Sequence, residues 1–133
     1  MRIFIADDSE LLRVRLVDML SEIEGIEIIG QAQDSLDAIE SIEKLNPHVV
    51  ILDVRMPQGD GIKVLEAIKK NLQSPKVIIF TNYPYPQYRK RYMDAGADFF
   101  FDKSTEFEKL VDTVKYLTND CSRAKKTNRK KNA

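Results

Sequence analysis

The chain has 133 residues, 43% of them hydrophobic and 32% charged, and its 21 basic and 21 acidic side chains cancel. Such a chain is typical of one soluble domain with a hydrophobic core, and no apolar run approaches the ~18 residues that would span a bilayer. It starts without the basic and apolar segments of a signal peptide, and its single cysteine, Cys121, excludes an internal disulfide framework. We therefore expect a cytoplasmic protein with no membrane insertion.

Short apolar runs rich in β-branched and aromatic residues alternate along the chain with segments of helix length. The runs are Ile3–Ala6, Ile26–Ala32, Val49–Leu52, Val77–Phe80 and Ala97–Phe101. Several of them are continuously apolar, which is typical of parallel strands that are covered by helices on both faces.

The segments between these runs carry apolar residues three or four positions apart, which is the spacing of an amphipathic helix. We predict helices across Leu12–Ile23, Leu36–Leu45, Val64–Ile68, 86–95 and Phe107–Leu117. Ser9 is the candidate N-cap of the first helix and Asp34 or Ser35 that of the second. The alternation predicts a single α/β domain with a doubly wound, five-stranded parallel sheet.

Polar side chains follow four of the five predicted strands. Asp7 and Asp8 follow the first strand, Asp53 the third, Thr81 the fourth and Lys103 the fifth. A single acid at a strand end is often only a helix cap. However, the binding crevice of such sheets lies beyond the carboxyl ends of the strands, so these five groups should share one rim.

The residue types on this rim indicate its chemistry. Carboxylate oxygens without His or Cys suit a hard cation such as Mg²⁺, which would offset the repulsion between Asp7 and Asp8. One carboxylate could then act as a nucleophile and form an acyl phosphate, with the ammonium group of Lys103 balancing the charge on the phosphoryl oxygens.

The same residues resemble the bacterial response-regulator receiver domain, the family that includes the chemotaxis regulator. The matching pieces are Asp7–Asp8, the stretch LDVRMPQGDG from Leu52 to Gly61, Thr81, and Lys103 in FFFDKS. The resemblance covers about residues 1–118 and implies a (βα)5 flavodoxin-like fold. It also implies a regulatory domain that catalyses its own phosphorylation and slow dephosphorylation, and not an enzyme acting on other substrates.

By this resemblance, Asp53 is the phosphoacceptor and takes its phosphoryl group from a sensor histidine kinase in a Mg²⁺-dependent reaction. Asp8 and Asp53 would bind the metal directly, together with the backbone carbonyl of Arg55, and Asp7 would act largely through water. Lys103 would contact the phosphoryl group.

The resemblance also implies a switch. Thr81 would move toward the new phosphoryl group, and Phe100 occupies the family's aromatic switch position. Phe100 lacks the hydroxyl of the more usual tyrosine, so we expect its switching to rest on packing alone. Asn82 replaces a residue that is usually small in the family and is predicted to narrow the approach to the phosphoryl group. Arg55 and Tyr83 flank the path of attacking water, and these bulky groups are predicted to slow hydrolysis of the acyl phosphate.

Two other functions remain open. A small phosphatase would also use an aspartyl phosphate, but its usual acid/base aspartate two residues after the nucleophile is replaced by Arg55. A receiver-like module that binds proteins without taking up phosphate is the main alternative. The stretch Asn82–Tyr92 interleaves aromatic and basic residues, which suits single-stranded nucleic acid, although a surface helix that contacts proteins is the favoured interpretation.

The end of the chain differs in charge from the rest. Residues 121–133 carry six basic residues and no acids, whereas the other 120 residues carry 15 basic and 21 acidic ones, a net charge of −6. We predict a receiver domain over residues 1–120 and a disordered basic tail, which either solubilises the chain or contacts an acidic protein, nucleic acid or membrane surface.

The expected partners are the kinase and either a downstream protein target or a fused output domain. The chain is therefore a stand-alone regulator or a receiver excised from a DNA-binding transcriptional regulator. Nucleic acid would be bound only through such an absent domain or weakly through the basic tail, and a homodimer is a further alternative.

Overall fold

The structure is a computed structural model that describes residues 1–71 and 74–131. The strands are β1 (Arg2–Ala6), β2 (Glu27–Ala32), β3 (Val49–Leu52), β4 (Lys76–Thr81) and β5 (Phe99–Asp102). The helices are α1 (Glu10–Leu20), α2 (Ser35–Leu45), α3 (Asp60–Lys69), α4 (Pro86–Asp94) and α5 (Phe107–Lys131).

The five strands form one parallel sheet in the order β2-β1-β3-β4-β5. The chain places β2 on one side of β1 and then adds β3, β4 and β5 on the other side. As a result, β1 and β3 lie side by side in the interior of the sheet. This arrangement confirms the predicted doubly wound, flavodoxin-like α/β fold. It also places the carboxyl ends of β1 and β3 next to each other, where ligand crevices form in such sheets.

Two hydrophobic cores lie on opposite faces of the sheet, and β3 contributes to both. Val50 and Leu52 point into the core that is covered by α2, α3 and Tyr92 of α4. Val49 and Ile51 point into the core that is covered by α1 and α5. All four side chains are buried, because successive residues of a strand face opposite sides and this strand has no exposed side.

The helix starts follow the capping residues predicted from the sequence. The hydroxyl of Ser9 accepts the N–H of Leu12 at 3.3 Å at the start of α1. The carboxylate of Asp34 accepts the N–H of Asp37 at 2.8 Å at the start of α2. At the other end of α2, Asn46 adopts the left-handed conformation with φ 49° and terminates the helix.

The last helix, α5, runs to Lys131, which is beyond the end at Leu117 predicted from the sequence. Residues 121–131 contain neither Gly nor Pro, and Ala, Lys and Arg favour a helix. The disorder of the basic tail stays a prediction, and residues 132–133 lie outside the described residues. In the part of the chain that the structure describes, no helix combines the length and the apolar character needed to cross a bilayer.

Candidate functional site

The register of the sheet sets the positions of Asp7 and Asp53. Ala6 and Leu52, the last residues of β1 and β3, are partners in the parallel ladder. The next residue of each strand therefore lies at the same level, and the N–H of Asp53 donates to the carbonyl of Ala6 at 3.0 Å. Both aspartates are buried, with only 3% and 5% of their surface exposed. Two carboxylates are thus held at the edge of the core.

The ammonium group of Lys103 joins these two carboxylates. Its Nζ lies 2.6 Å from Oδ2 of Asp7 and 3.0 Å from Oδ2 of Asp53. The lysine follows β5, and its backbone N–H donates to the carbonyl of Thr81 at 2.9 Å, which fixes the loop that carries it. The side chain of Lys103 is only 8% exposed. The predicted convergence of strand-end groups is therefore present.

Asp8 completes a cluster of three carboxylates. One oxygen from each of Asp7, Asp8 and Asp53 lies within 4.8 Å of the other two, and Asp8 is exposed to solvent. Three carboxylates facing one ammonium leave an excess of negative charge, and oxygen donors at this spacing fit a hard divalent cation. The acidic cluster predicted from the sequence is thus present, and its donor set suits the expected Mg²⁺.

Burial and charge oppose each other in this cluster. Burial raises the pKa of the Asp53 carboxyl above its ordinary value, and the neighbouring Asp7 adds to this, although Lys103 and a hydrogen bond from Thr81 act against it. Burial alone would lower the pKa of the Lys103 ammonium, but the Asp53 and Asp7 carboxylates outweigh it and raise the pKa. Lys103 is consequently held in its charged form.

The two predicted switch residues are buried near the site but are held differently. Thr81 is fully buried, and its hydroxyl accepts the N–H of Tyr83 at 3.0 Å. Phe100 is 3% exposed, and its ring meets the ring of Tyr92 edge-on with 6.5 Å between the centroids. The hydroxyl of Tyr92 in turn donates to the carbonyl of Val54, directly after Asp53, at 3.1 Å.

Phe100 has a charged neighbour that sequence reasoning missed. The guanidinium of Arg89 lies 4.9 Å from the centroid of the Phe100 ring and 4.0 Å from a carboxylate oxygen of Glu106. A cation–π contact therefore adds to the packing that holds the Phe100 ring, and the role of Phe100 in switching stays a prediction. No sequence signal indicates this contact, since it depends on how α4 packs against β5.

Two of the three predicted hydrolysis-modulating residues contact each other beside the acidic cluster. The guanidinium of Arg55 lies 4.4 Å from the centroid of the Tyr83 ring, and a guanidinium nitrogen lies 3.5 Å from the hydroxyl of Tyr88. Asn82 is exposed. Tyr88, on α4, is a second contact that the sequence did not predict.

Sequence reasoning also missed the support beneath Asp7. A guanidinium nitrogen of Arg13 donates to the backbone carbonyl of Asp7 at 2.6 Å, and the N–H of Ser9 donates to the Asp7 carboxylate at 2.9 Å. The first contact holds the backbone of Asp7, and the second orients its carboxylate. Arg13 is one of two arginines in α1, and its spacing alone does not distinguish it from a surface residue.

The family model of the response regulator receiver domain matches residues 3–115. The uncharacterized transcriptional regulatory protein YvfU of Bacillus subtilis is 37% identical over 114 residues, which are 86% of this chain and 57% of that protein. The response regulator GacA of Pseudomonas aeruginosa is 34% identical over 119 residues, 87% of this chain and 54% of that protein. The chain thus spans just over half the length of these relatives.

The solved structures give the same result. The crystal structure of a DNA-binding response regulator of the LuxR family from Staphylococcus aureus superposes with a TM-score of 0.81 and 34% sequence identity. The match covers 88% of this chain and 98% of that chain. With the sheet order and the strand-end acids described above, these matches establish that the chain belongs to the response regulator receiver domain family of two-component signalling systems.

Proposed function

We propose that Asp53 accepts a phosphoryl group from the phosphohistidine of a sensor histidine kinase and that this modification switches the domain. The observation that carries the proposal is the position of Lys103 Nζ, 2.6 Å from Asp7 and 3.0 Å from Asp53. A buried ammonium between a nucleophile and a second carboxylate is suited to hold phosphoryl oxygens that arrive next to Asp53.

In the proposed transfer, a carboxylate oxygen of Asp53 attacks phosphorus and forms the O–P bond of an acyl phosphate. The P–N bond to the donor imidazole breaks, and its electron pair stays on the imidazole nitrogen. Lys103 keeps its proton and exchanges its contact with Asp53 for a contact with the phosphoryl oxygens. Burial of the site keeps bulk water away from the acyl phosphate.

Mg²⁺ is the proposed cofactor of this transfer, and bound there it would neutralise charge on the carboxylates and the phosphoryl group. Asp8 and Asp53 are its proposed direct ligands, with the backbone carbonyl of Arg55 as a third. For Asp7 we propose a smaller part in holding the metal, because its Oδ2 is already engaged by Lys103 at 2.6 Å.

The proposed switch uses Thr81 and Phe100. The Thr81 hydroxyl would release the N–H of Tyr83 and donate to a phosphoryl oxygen. That movement would change the space beside Phe100, whose buried ring packs against Tyr92 and under Arg89. Phosphorylation shifts the balance between two states only by the difference in how well each state accommodates the phosphoryl group.

The proposed lifetime of the acyl phosphate depends on Arg55 and Tyr83. Their stacked side chains, 4.4 Å apart, stand beside the site and reduce the access of an attacking water molecule. Exposed Asn82, which follows Thr81, adds bulk at the same entrance. Removal of the phosphoryl group is the same domain's own slow reaction in this proposal.

The proposed partners are a sensor kinase and an output element. The relatives described above include a transcriptional regulatory protein and a DNA-binding response regulator. By analogy, the output is a DNA-binding domain in a longer protein or a separate protein target that the receiver contacts. The alternative is a module that binds its partner without phosphate, and the experiment below distinguishes the two.

The test is phosphate incorporation from acetyl phosphate, and from a phosphorylated kinase domain, measured by intact mass with Mg²⁺ and with EDTA. We expect a single added phosphoryl group that requires Mg²⁺ and is lost in Asp53→Asn. Asp37→Asn is the matched control, because it removes one exposed carboxylate from α2 without touching the site.

The failure of both donors with folded protein would contradict the proposal and favour the phosphate-independent module. Labelling that persists in Asp53→Asn would place the acceptor elsewhere. Repeated turnover of acetyl phosphate without an accumulating adduct would favour a phosphatase.

A further inference from the structure

The turn between β3 and α3 has an unusual backbone. Three successive residues, Gln58, Gly59 and Asp60, have positive φ angles of 68°, 123° and 56°. Residues other than glycine rarely adopt this left-handed region, and they stay in it only where the surrounding structure holds them. The conformation of Gln58 and Asp60 therefore depends on contacts made by the turn.

The side chain of Asp60 makes one of these contacts. Asp60 is the first residue of α3, but its Oδ1 reaches back along the chain and accepts the N–H of Met56 at 3.1 Å. The N–H of Asp60 also donates to the carbonyl of Met56 at 3.2 Å. An acid in the first turn of a helix is ordinarily explained by the helix dipole. The dipole explains neither the bond to Met56 nor the left-handed backbone.

Ser35, the first residue of α2, makes the other contacts. Asp60 is exposed, so packing does not fix its position, whereas Ser35 is fully buried. The hydroxyl of Ser35 donates to the carbonyl of Asp60 at 2.7 Å, and its N–H donates to the carbonyl of Pro57 at 3.0 Å. Both ends of the turn are thus tied to α2.

The N–H that Asp60 holds belongs to the same peptide unit as the carbonyl of Arg55. This peptide bond is trans, so the N–H of Met56 and the carbonyl of Arg55 point in opposite directions within one plane. A carboxylate that holds the N–H therefore fixes the direction of the carbonyl. It also polarises the peptide unit, because hydrogen bonds in series strengthen one another.

The preceding peptide unit is anchored as well. The carbonyl of Val54 accepts the N–H of Gly61 at 2.9 Å and the hydroxyl of Tyr92 at 3.1 Å. The N–H of Val54 donates to Oδ1 of Asp53 at 2.7 Å. Arg55, whose side chain is exposed, thus lies between two peptide units that are both held by hydrogen bonds.

We propose that Asp60 is a positioning residue for the metal: it holds the N–H of Met56 and thereby fixes the direction in which the Arg55 carbonyl is offered to Mg²⁺. Ser35 in turn holds Asp60. The inference rests on the proposed function, in which this carbonyl is a ligand. Mg²⁺ demands a nearly ideal octahedron of oxygen ligands, and groups that orient its ligands contribute strongly to affinity.

The first test is the Mg²⁺ affinity of the 133-residue chain, measured by isothermal titration calorimetry. Asp60→Ala leaves the N–H of Met56 without its acceptor and should weaken Mg²⁺ binding at least about tenfold. Asp60→Asn keeps an acceptor oxygen and should weaken it by no more than about threefold. Glu108→Ala is the matched control, because it removes an exposed acid from the first turn of α5.

Ca²⁺ separates the direction of the carbonyl from a general effect on the site. Ca²⁺ accepts irregular sets of six to eight oxygen ligands, so a carbonyl that turns away costs it less. In Asp60→Ala, the ratio of Mg²⁺ affinity to Ca²⁺ affinity should therefore fall by about threefold or more. Partial unfolding or the loss of one negative charge would weaken both ions alike and leave this ratio unchanged.

The contribution of Ser35 is tested in the same way. Ser35→Ala removes the bond to the carbonyl of Asp60 and should weaken Mg²⁺ binding about two- to fivefold, with the same fall in the ratio. Ser41→Ala is its control: this hydroxyl lies on the same helix but bonds the carboxylate of Asp37 at 3.2 Å. It should bind both ions like the wild type.

The outcomes separate this inference from the proposed function. The ¹³C resonance of the Arg55 carbonyl should move when Mg²⁺ is added to the wild type. Binding that leaves this resonance unmoved would remove Arg55 from the ligands and overturn the inference.

A wild type that binds Mg²⁺ no better than Asp60→Ala, or equal losses for Mg²⁺ and Ca²⁺ in that variant, would overturn the inference while the acidic cluster keeps its metal. A wild type that binds no Mg²⁺ at all would contradict the proposed cofactor and the inference together.

Discussion

Gly61, in the first turn of α3, lies directly against the backbone carbonyl of Asp53. A Cβ atom on Gly61 would collide with that carbonyl oxygen, and backbone cannot yield as a flexible side chain can. The N–H of Gly61 also donates to the carbonyl of Val54 at 2.9 Å. The close approach of α3 to the end of β3 therefore depends on the missing side chain.

We expect Gly61→Ala to lower the free energy of unfolding by about 3 kcal/mol, since the collision forces α3 away from β3. Urea unfolding followed by circular dichroism measures this loss. Gly59→Ala is the control: there a Cβ meets the flexible side chain of Lys63, so the cost is the positive φ of 123° alone, about 1 kcal/mol. Equal effects of the two substitutions would contradict the steric argument.

Tyr92 supports the same segment from α4. Its buried hydroxyl donates to the carbonyl of Val54 at 3.1 Å, so Tyr92→Phe removes one of the two hydrogen bonds that this carbonyl accepts and should cost about 1 kcal/mol of unfolding free energy. Tyr88→Phe should cost little unfolding free energy, because the Tyr88 hydroxyl makes only a long contact, 3.5 Å, with the exposed guanidinium of Arg55. The urea midpoints of the two variants measure these losses. A larger loss of unfolding free energy in Tyr88→Phe than in Tyr92→Phe would contradict the prediction.

Asp8 should oppose folding until a cation is bound. Without divalent ions, Asp8→Asn removes one of three clustered carboxylates and should raise the unfolding free energy by about 0.5–1 kcal/mol. Mg²⁺ should stabilise the wild type and have little effect on the variant. Thermal melts with EDTA and with MgCl2 measure both effects. Asp18→Asn, an exposed acid of α1, should show neither, and equal Mg²⁺ stabilisation of Asp8→Asn would exclude Asp8 as a ligand.

The stacked pair of Arg55 and Tyr83 should prolong the acyl phosphate. In the double variant Arg55→Ala/Tyr83→Ala, water reaches the site more easily, and we expect dephosphorylation to be about three to ten times faster. Intact mass after removal of the phosphodonor gives the first-order rate. Arg91→Ala serves as the control, since it removes an exposed cation of α4 that the structure places outside this stack. An unchanged rate in the double variant would contradict the proposal.

Glu106 should make stability depend on pH. A hydrogen bond from Lys109 lowers the pKa of its carboxyl, and the backbone N–H of Asp102 acts in the same direction. Because the folded pKa is depressed, this stability is present above the ordinary glutamate value, about 4.3, and is lost as the pH falls through the folded pKa.

Glu106→Gln should consequently lower the unfolding free energy by about 0.5 kcal/mol at neutral pH, a small value because solvent screens the group. The difference should vanish in acid. Urea midpoints of the wild type and of Glu106→Gln, measured from neutral pH down to about pH 3, follow this difference. A difference that grows on acidification would contradict a lowered pKa of Glu106 in the folded state.

The alternation of apolar runs and amphipathic segments was sufficient to predict the fold. Continuously apolar runs such as Val49–Leu52 are explained by burial on both faces of the sheet. Because the carboxyl ends of parallel strands lie at the same edge, Asp7, Asp53 and Lys103 then meet at one rim. The metal, the phosphoryl transfer and the roles of the individual residues are still predictions, because charge and spacing indicate a chemistry without demonstrating it.

The contacts that the sequence did not predict are those between elements that are distant in the chain. Arg89 over Phe100 and Tyr92 on Val54 depend on how α4 packs, which no local pattern encodes. The disorder of residues 121–133 was predicted from their low apolar content and stays a prediction.

The lysine at the centre of the site comes late in synthesis. Asp7 and Asp53 leave the ribosome first, and Lys103, the group that contacts both, follows 50 positions after Asp53. A chain interrupted anywhere between them holds Asp53, the proposed acceptor, without its cation. Truncated products of translation or proteolysis therefore lack part of the site, because its residues are distributed over nearly the whole length of the domain.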